Sequence, residues 1–228
     1  MNNILYYKYI VLIVCFVSYV LAIEVDISLG EAFSINQRLS IINSQDDIIE
    51  FDAIFKTNGL KIPYYYSIRF IKELKTINVE IEHIHHKLYV EQNLPNRVSK
   101  FEVTDGYNLF LINLSDNITD YFSYRVGIGT VVSHPDIIVD GQTNYIRGGG
   151  AIPKVWFDGY HWSGISTQIS GFYKSSISDK WSYQIEAKLI YANTVVPIEE
   201  GEVELPNTSI HILFGLSRKL KGYLEKNH

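Results

Sequence analysis

The chain has 228 residues, with 20 Lys and Arg against 25 Asp and Glu, for a formal net charge of −5. One domain accommodates that length, and the acidic balance excludes the broad basic face that nucleic-acid binding requires. Aromatic residues make up 14% of the chain, with 17 Tyr and 11 Phe, which suits pleated sheets and membrane–water interfaces.

The first predicted element is a targeting segment. Lys8 precedes an uncharged apolar run from Tyr9 to Leu21, followed by Ala22 and the acidic Glu24 and Asp26. The run is short for a spanning helix, and Val20 and Ala22 supply small residues before a signal-peptidase cut. Residues 1–22 are therefore expected to be a removable signal peptide, with an uncleaved anchor as the alternative. The single cysteine, Cys15, lies inside this run, so an exported chain would use neither disulfides nor thiolate metal sites.

Residues 23–46 are expected to form either one more hairpin or a plug. Residues 47–220 carry recurrent alternation with period two, the mark of strands with two different faces. In Ile48–Lys56, Ile49, Phe51, Ala53 and Phe55 oppose Glu50, Asp52 and Lys56. In 64–71, Tyr64, Tyr66, Ile68 and Phe70 oppose Tyr65, Ser67 and Arg69. In 181–191, Trp181, Tyr183, Ile185, Ala187, Leu189 and Tyr191 oppose Ser182, Gln184, Glu186 and Lys188. Residues 209–217 repeat the pattern, and 77–89, 107–114, 121–132 and 160–173 do so more weakly. Residues 221–228 are a C-terminal tail.

The fold expected is all-β, an antiparallel transmembrane β-barrel of eight strands, or ten if the N-terminal segment adds a hairpin. A soluble barrel would turn the charged face outward. A small membrane barrel does the reverse, filling its interior with charges such as Glu50, Asp52, Arg69, Glu80, Glu82, Arg125, Glu186 and Lys188. Connection lengths agree with a membrane. With 48–56 as an ascending strand, the long 90–106, 135–159 and 197–206 connections fall outside, and the tight 72–76, 115–120 and 175–180 turns fall in the periplasm.

Six of the seven histidines then fall near the outer rim: His83, His85, His86, His134, His161 and His211. Histidine ligates metals and titrates near neutral pH. Glu82, His86 and His211 share the inward face, so they are expected to converge as a divalent-metal site or a carboxylate-oriented base. His83, His134 and His161 complete the candidate catalytic set, with His83 and His85 on the outward face. His161-x-Ser163 offers a nucleophile with a nearby base, but 165–174 contains no Asp or Glu to orient it.

Four stretches, EHIHHKLY (82–89), FEVTDGYN (101–108), GIGTVVSHP (127–135) and GYHWSG (159–164), resemble a family of bacterial outer-membrane barrels, some labelled lipid A oxidase-like. The resemblance covers roughly residues 64 to 216. It implies an outer-membrane location and action on, or binding of, the lipid A backbone of lipopolysaccharide. Where the family often carries His, this chain has Asp105. The partners expected are outer-membrane lipid and, during biogenesis, the barrel-assembly machinery. A non-catalytic structural or surface-interaction barrel is the competing class.

Overall fold

The structure, a computed structural model, describes residues 24–43, 47–92, 94–143, 159–198 and 201–220. The expected signal peptide, the C-terminal tail and much of the 135–159 loop lie outside the described residues. The described residues form strands β1 (Glu24–Ser34), β2 (Gln37–Asn43), β3 (Ile48–Lys56), β4 (Tyr66–Glu73), β5 (Asn78–Gln92), β6 (Val98–Asn117) and β7 (Phe122–Ser133). They continue with β8 (Asp136–Val139), β9 (Gln142–Thr143), β10 (His161–Ser176), β11 (Trp181–Ile198), β12 (Gly201–Glu204) and β13 (Asn207–Lys219).

Eight of these close a ring. β1 pairs with β4, β4 with β5, β5 with β6, β6 with β7, β7 with β10, β10 with β11, β11 with β13, and β13 with β1, all antiparallel. Closure gives each spanning strand a partner on both sides, which lipid demands because it cannot hydrogen-bond a bare strand edge, although the upper end of β1 beyond Leu29 pairs with β13 alone. Tight turns at 74–77, 118–121 and 177–180 mark the periplasmic end. The opposite end carries the long excursions.

Side chains alternate as a membrane barrel requires. On β11, Trp181, Tyr183, Ile185, Leu189 and Tyr191 are exposed on the outer wall, while Ser182, Gln184, Glu186 and Lys188 are buried inside. On β1, Ile27 and Leu29 point out, and Glu24, Asp26 and Ser28 point in. The barrel is an eight-stranded transmembrane barrel with a polar interior and an apolar girdle.

One stave differs from the sequence expectation. Glu24–Ser34 is the first strand of the ring, neither plug nor extra hairpin, and Ile48–Lys56 is not a stave at all. β3 pairs with β2 and with the upper end of β5, and β2 pairs with β12, which joins the upper end of β11. With the upper part of β6 and with β8, these strands build a second storey beyond the membrane. Here the polarity inverts. Leu39, Ile41, Phe51, Ala53, Leu88, Phe101, Val103, Val196, Val203 and Leu205 form an enclosed apolar core, and Arg38, Glu50, Asp52, Glu202 and Glu204 face outward. The apolar face of 48–56 was legible, but alternation cannot tell lipid from a dome core as the thing it meets.

Candidate functional site

The membrane-level interior holds three cations and four carboxylates on five strands: Asp26 on β1, Arg69 on β4, Glu80 and Glu82 on β5, Arg125 on β7, Glu186 and Lys188 on β11. Each is essentially inaccessible to solvent. Arg69 sits at the centre. Its Nη2 donates to Glu82 at 2.8 Å and to Glu186 at 2.7 Å, with Asp26 at 3.4 Å and Glu80 at 3.5 Å. Arg125 joins Glu80 at 2.5 Å and also binds Glu186. Isolated charges could not persist in such a place, but a mutually neutralising lattice can.

Glu82 is the most heavily bonded of these groups. Besides Arg69 and Lys188, it accepts from Ser67 Oγ at 2.6 Å, Asn113 Nδ2 at 2.8 Å and Gln168 Nε2 at 2.6 Å. Its lone pairs are committed to charged and amide donors. It therefore orients no histidine, contrary to the carboxylate–histidine base expected from sequence.

His86 and His211 lie inside the barrel, as their face assignment expects, between this lattice and the apolar dome. Their rings stand 5.0 Å apart, centre to centre. His211 bonds the Tyr65 hydroxyl through Nδ1 at 2.6 Å and the Ser209 hydroxyl through Nε2 at 2.7 Å. A hydroxyl can donate or accept, so this pair of partners satisfies a neutral imidazole. His86 packs edge-on against Tyr65 and Tyr107, and both of its ring nitrogens lack a hydrogen bond. The Asn207 amide faces it outside hydrogen-bonding geometry.

The metal expectation for Glu82, His86 and His211 is corrected by this arrangement. Among the described residues no group of three His, Cys, Asp or Glu is placed to hold a metal ion. Lys188 and Arg69 occupy the carboxylate that would have been a ligand, and two hydroxyls occupy the ring of His211.

The other histidines separate onto the outer wall and the barrel top. The β-bulge in β5 falls between His86 and Leu88, beyond the stretch where it would have swapped faces, so His83 and His85 stay outward. Both donate a ring N–H to Asn108 Oδ1, His83 through Nε2 at 3.2 Å and His85 through Nδ1 at 3.0 Å. Tyr66 stacks on His85 and Phe110 on His83, with ring centres 5.2 Å and 4.7 Å apart. His134 lies against Tyr160 at 4.7 Å. The Ser163 hydroxyl shares a hydrogen bond with Ser133 Oγ and donates to the backbone carbonyl of His161 at 3.1 Å. Those contacts engage Ser163 with groups other than an imidazole base.

Sequence reasoning placed Arg69, Glu80, Glu82, Arg125, Glu186 and Lys188 inside, wrongly added Glu50 and Asp52, which face outward on the dome, and missed Asp26 and the role of Tyr65. The alternation of Glu24, Asp26 and Ser28 with Val25, Ile27 and Leu29 was the available signal. Below the lattice, a polar vestibule of about 250 Å³ opens at the periplasmic mouth, bounded by Glu24, Glu80, Arg125, Lys174 and Gln184. Lys174 and Glu24 bridge its walls.

No family model matches the chain, and no curated protein matches it. Among solved structures, the outer membrane protein AlkL, determined in DMPC lipid bilayers, aligns with a TM-score of 0.52 at 13% identity, over 91% of this chain and 95% of that one. OprG from Pseudomonas aeruginosa aligns at 0.46 and 12% identity, over 89% and 99%. The attachment invasion locus protein Ail of Yersinia pestis aligns at 0.43 and 10% identity, over 86% and 99%. At these identities the likeness to AlkL is one of fold, and the chain has the fold of a bacterial outer-membrane β-barrel.

Proposed function

We propose that this protein is a non-catalytic outer-membrane barrel whose function is to hold a rigid dome at the cell surface as an interaction surface. The observation that carries this is the inversion of polarity along the axis. A charge-filled, lipid-girdled barrel continues without a break into a storey with an apolar core and a charged exterior. Strands of 18 and 20 residues run through both storeys, about twice the roughly 10 residues that a tilted span needs. The added length goes into the dome. Glu82 and His211 are sealed within the barrel and committed to structural partners, and His86 is equally sealed, packed edge-on against Tyr65 and Tyr107.

Mass spectrometry of lipid A from cells with and without the gene tests this. Identical profiles are expected. A modification that disappears in a folded Glu82→Gln or His86→Ala variant would overturn the proposal in favour of lipid A chemistry.

A second reading, contact with lipopolysaccharide at the rim, is favoured by the half-buried His83 on the outer wall, flanked by Tyr66 and Phe110 and backed by the buried His85 and Asn108. Purified lipopolysaccharide should then protect the barrel against urea unfolding, and a His83→Ala, His85→Ala double variant should lose that protection. Equal protection of the double variant would remove the histidines from the contact.

A further inference from the structure

Between the upper ends of β1 and β5 the backbone ladder of the ring is interrupted. β4 pairs with β1 only as far as Tyr66 opposite Leu29, while β1 continues to Ser34 with β13 as its remaining partner. On the far side, β5 leaves β4 after His85 and takes up β3 from Tyr89. The gap between these edges is crossed by residues 57–65, a strap linking β3 to β4.

The strap is fastened to both edges it bridges, by Glu31 of β1 and Lys87 of β5. The Gly59 N–H donates to the Glu31 carboxylate at 2.7 Å and 2.9 Å. A Cβ on Gly59 would lie 2.4 Å from the Gly30 carbonyl oxygen, so only glycine lets the strap lie this close to the β1 edge. Lys87 Nζ donates to the carbonyls of Asn58 and Lys61, both at 2.7 Å. Tyr65 turns inward to His211. What remains outside is apolar: Leu60, Ile62 and Tyr64 are 78%, 73% and 53% exposed.

These side chains continue the lipid-facing wall. Glu31, which holds the strap, is opposite Ile212, and Phe33 is opposite Ile210, and Phe33, Ile210 and Ile212 are exposed members of the girdle. Three large apolar side chains in water at this height would be costly, whereas hydrocarbon covers them at no loss. Lys61, between Leu60 and Ile62, leans over the Tyr89 ring on the dome side, which suits an ammonium that snorkels toward headgroups.

We propose that the strap is a lipid-covered seal, with acyl chains of the outer leaflet packing on Leu60, Ile62 and Tyr64 and pressing it over the open edge of β1. The occupant is membrane lipid, and the surface is the girdle extended across a stretch of wall that lacks strand pairing.

Spin labels at Leu60→Cys and Ile62→Cys, in the full chain carrying Cys15→Ser and reconstituted in dimyristoylphosphatidylcholine vesicles, test this through collision with oxygen and with a water-soluble nickel chelate. Ile212→Cys is the lipid control and Asp52→Cys the aqueous control. Oxygen collisions should dominate at 60 and 62, as at 212. Nickel-chelate collisions dominating at 60 and 62, as at 52, would overturn the seal while leaving the barrel intact. A nickel-dominated signal at 212 would instead refute the spanning barrel on which the seal rests. Tyr64→Cys substitutes for either variant that fails to give the folded, heat-modifiable species.

Discussion

At the scale of single residues, alternation revealed which way side chains point, and partner choice was hidden. Glu82 and His86 are four residues apart on one inward face, which suggested a pair. Barrel stagger instead brings Glu82 level with Arg69, its cross-strand partner in register, and with Lys188. His86 faces the Tyr65 and His211 layer above. Stagger is a property of the closed ring and leaves no mark within one strand. The two side chains should respond oppositely to removal. Glu82→Leu strands Arg69 and Lys188 and should cost about 3–5 kcal/mol in urea unfolding from detergent, the usual cost of breaking a buried pair. His86→Leu removes no hydrogen bond and should stay within about 1 kcal/mol of wild type. A loss of equal size at both positions would give His86 a bonded role that its surroundings do not provide.

At the scale of elements, the alternating pattern made β3 look like a stave and left β1 unassigned. Both strands have one apolar and one polar face, and what separates them is the identity of the phase each face meets. On β3 the apolar face enters a protein core and the charged face enters water, the reverse of a stave. Cysteines at Glu50 and Asp52 should therefore react with a membrane-impermeant maleimide on intact cells. In a stave they would sit inside the barrel and stay unreacted. The dome also carries a clip, in which Arg97 donates to Asp140 at 2.7 Å and to Asp47 at 2.5 Å. Those hydrogen bonds hold the Asp140 carboxyl below its ordinary value of 3.8. A lowered carboxyl pKa contributes stability that is present above the ordinary value and is lost as pH falls through the lowered one. Hydrogen-exchange protection at residues 96–98, relative to the intrinsic rate at each pH, should thus fall on strong acidification, and Arg97→Ala should abolish that step.

At the scale of the whole molecule, the choice between eight strands and ten turned on residues 24–34, whose place in the ring alternation alone did not reveal. The antiparallel barrel was legible because lipid imposes a two-residue period. The dome was not, since its strands are contributed by three separate connections and by the upper ends of staves. The interior at membrane level is packed with the Arg69 lattice and capped by the apolar dome, so purified protein in planar bilayers should show no steady conductance. Persistent single-channel openings would contradict a filled barrel.

Single strands pass through lipid into a solvent-facing dome. β11 traverses both zones, with Ile185, Leu189 and Val195 on its outer face. The direct measurement is the rate at which a water-soluble maleimide labels a cysteine at each of these positions in vesicle-reconstituted protein carrying Cys15→Ser. The cysteine at 195 should react readily, while those at 185 and 189 stay protected until detergent removes the bilayer. Equal reactivity at all three positions before detergent is added would contradict the account.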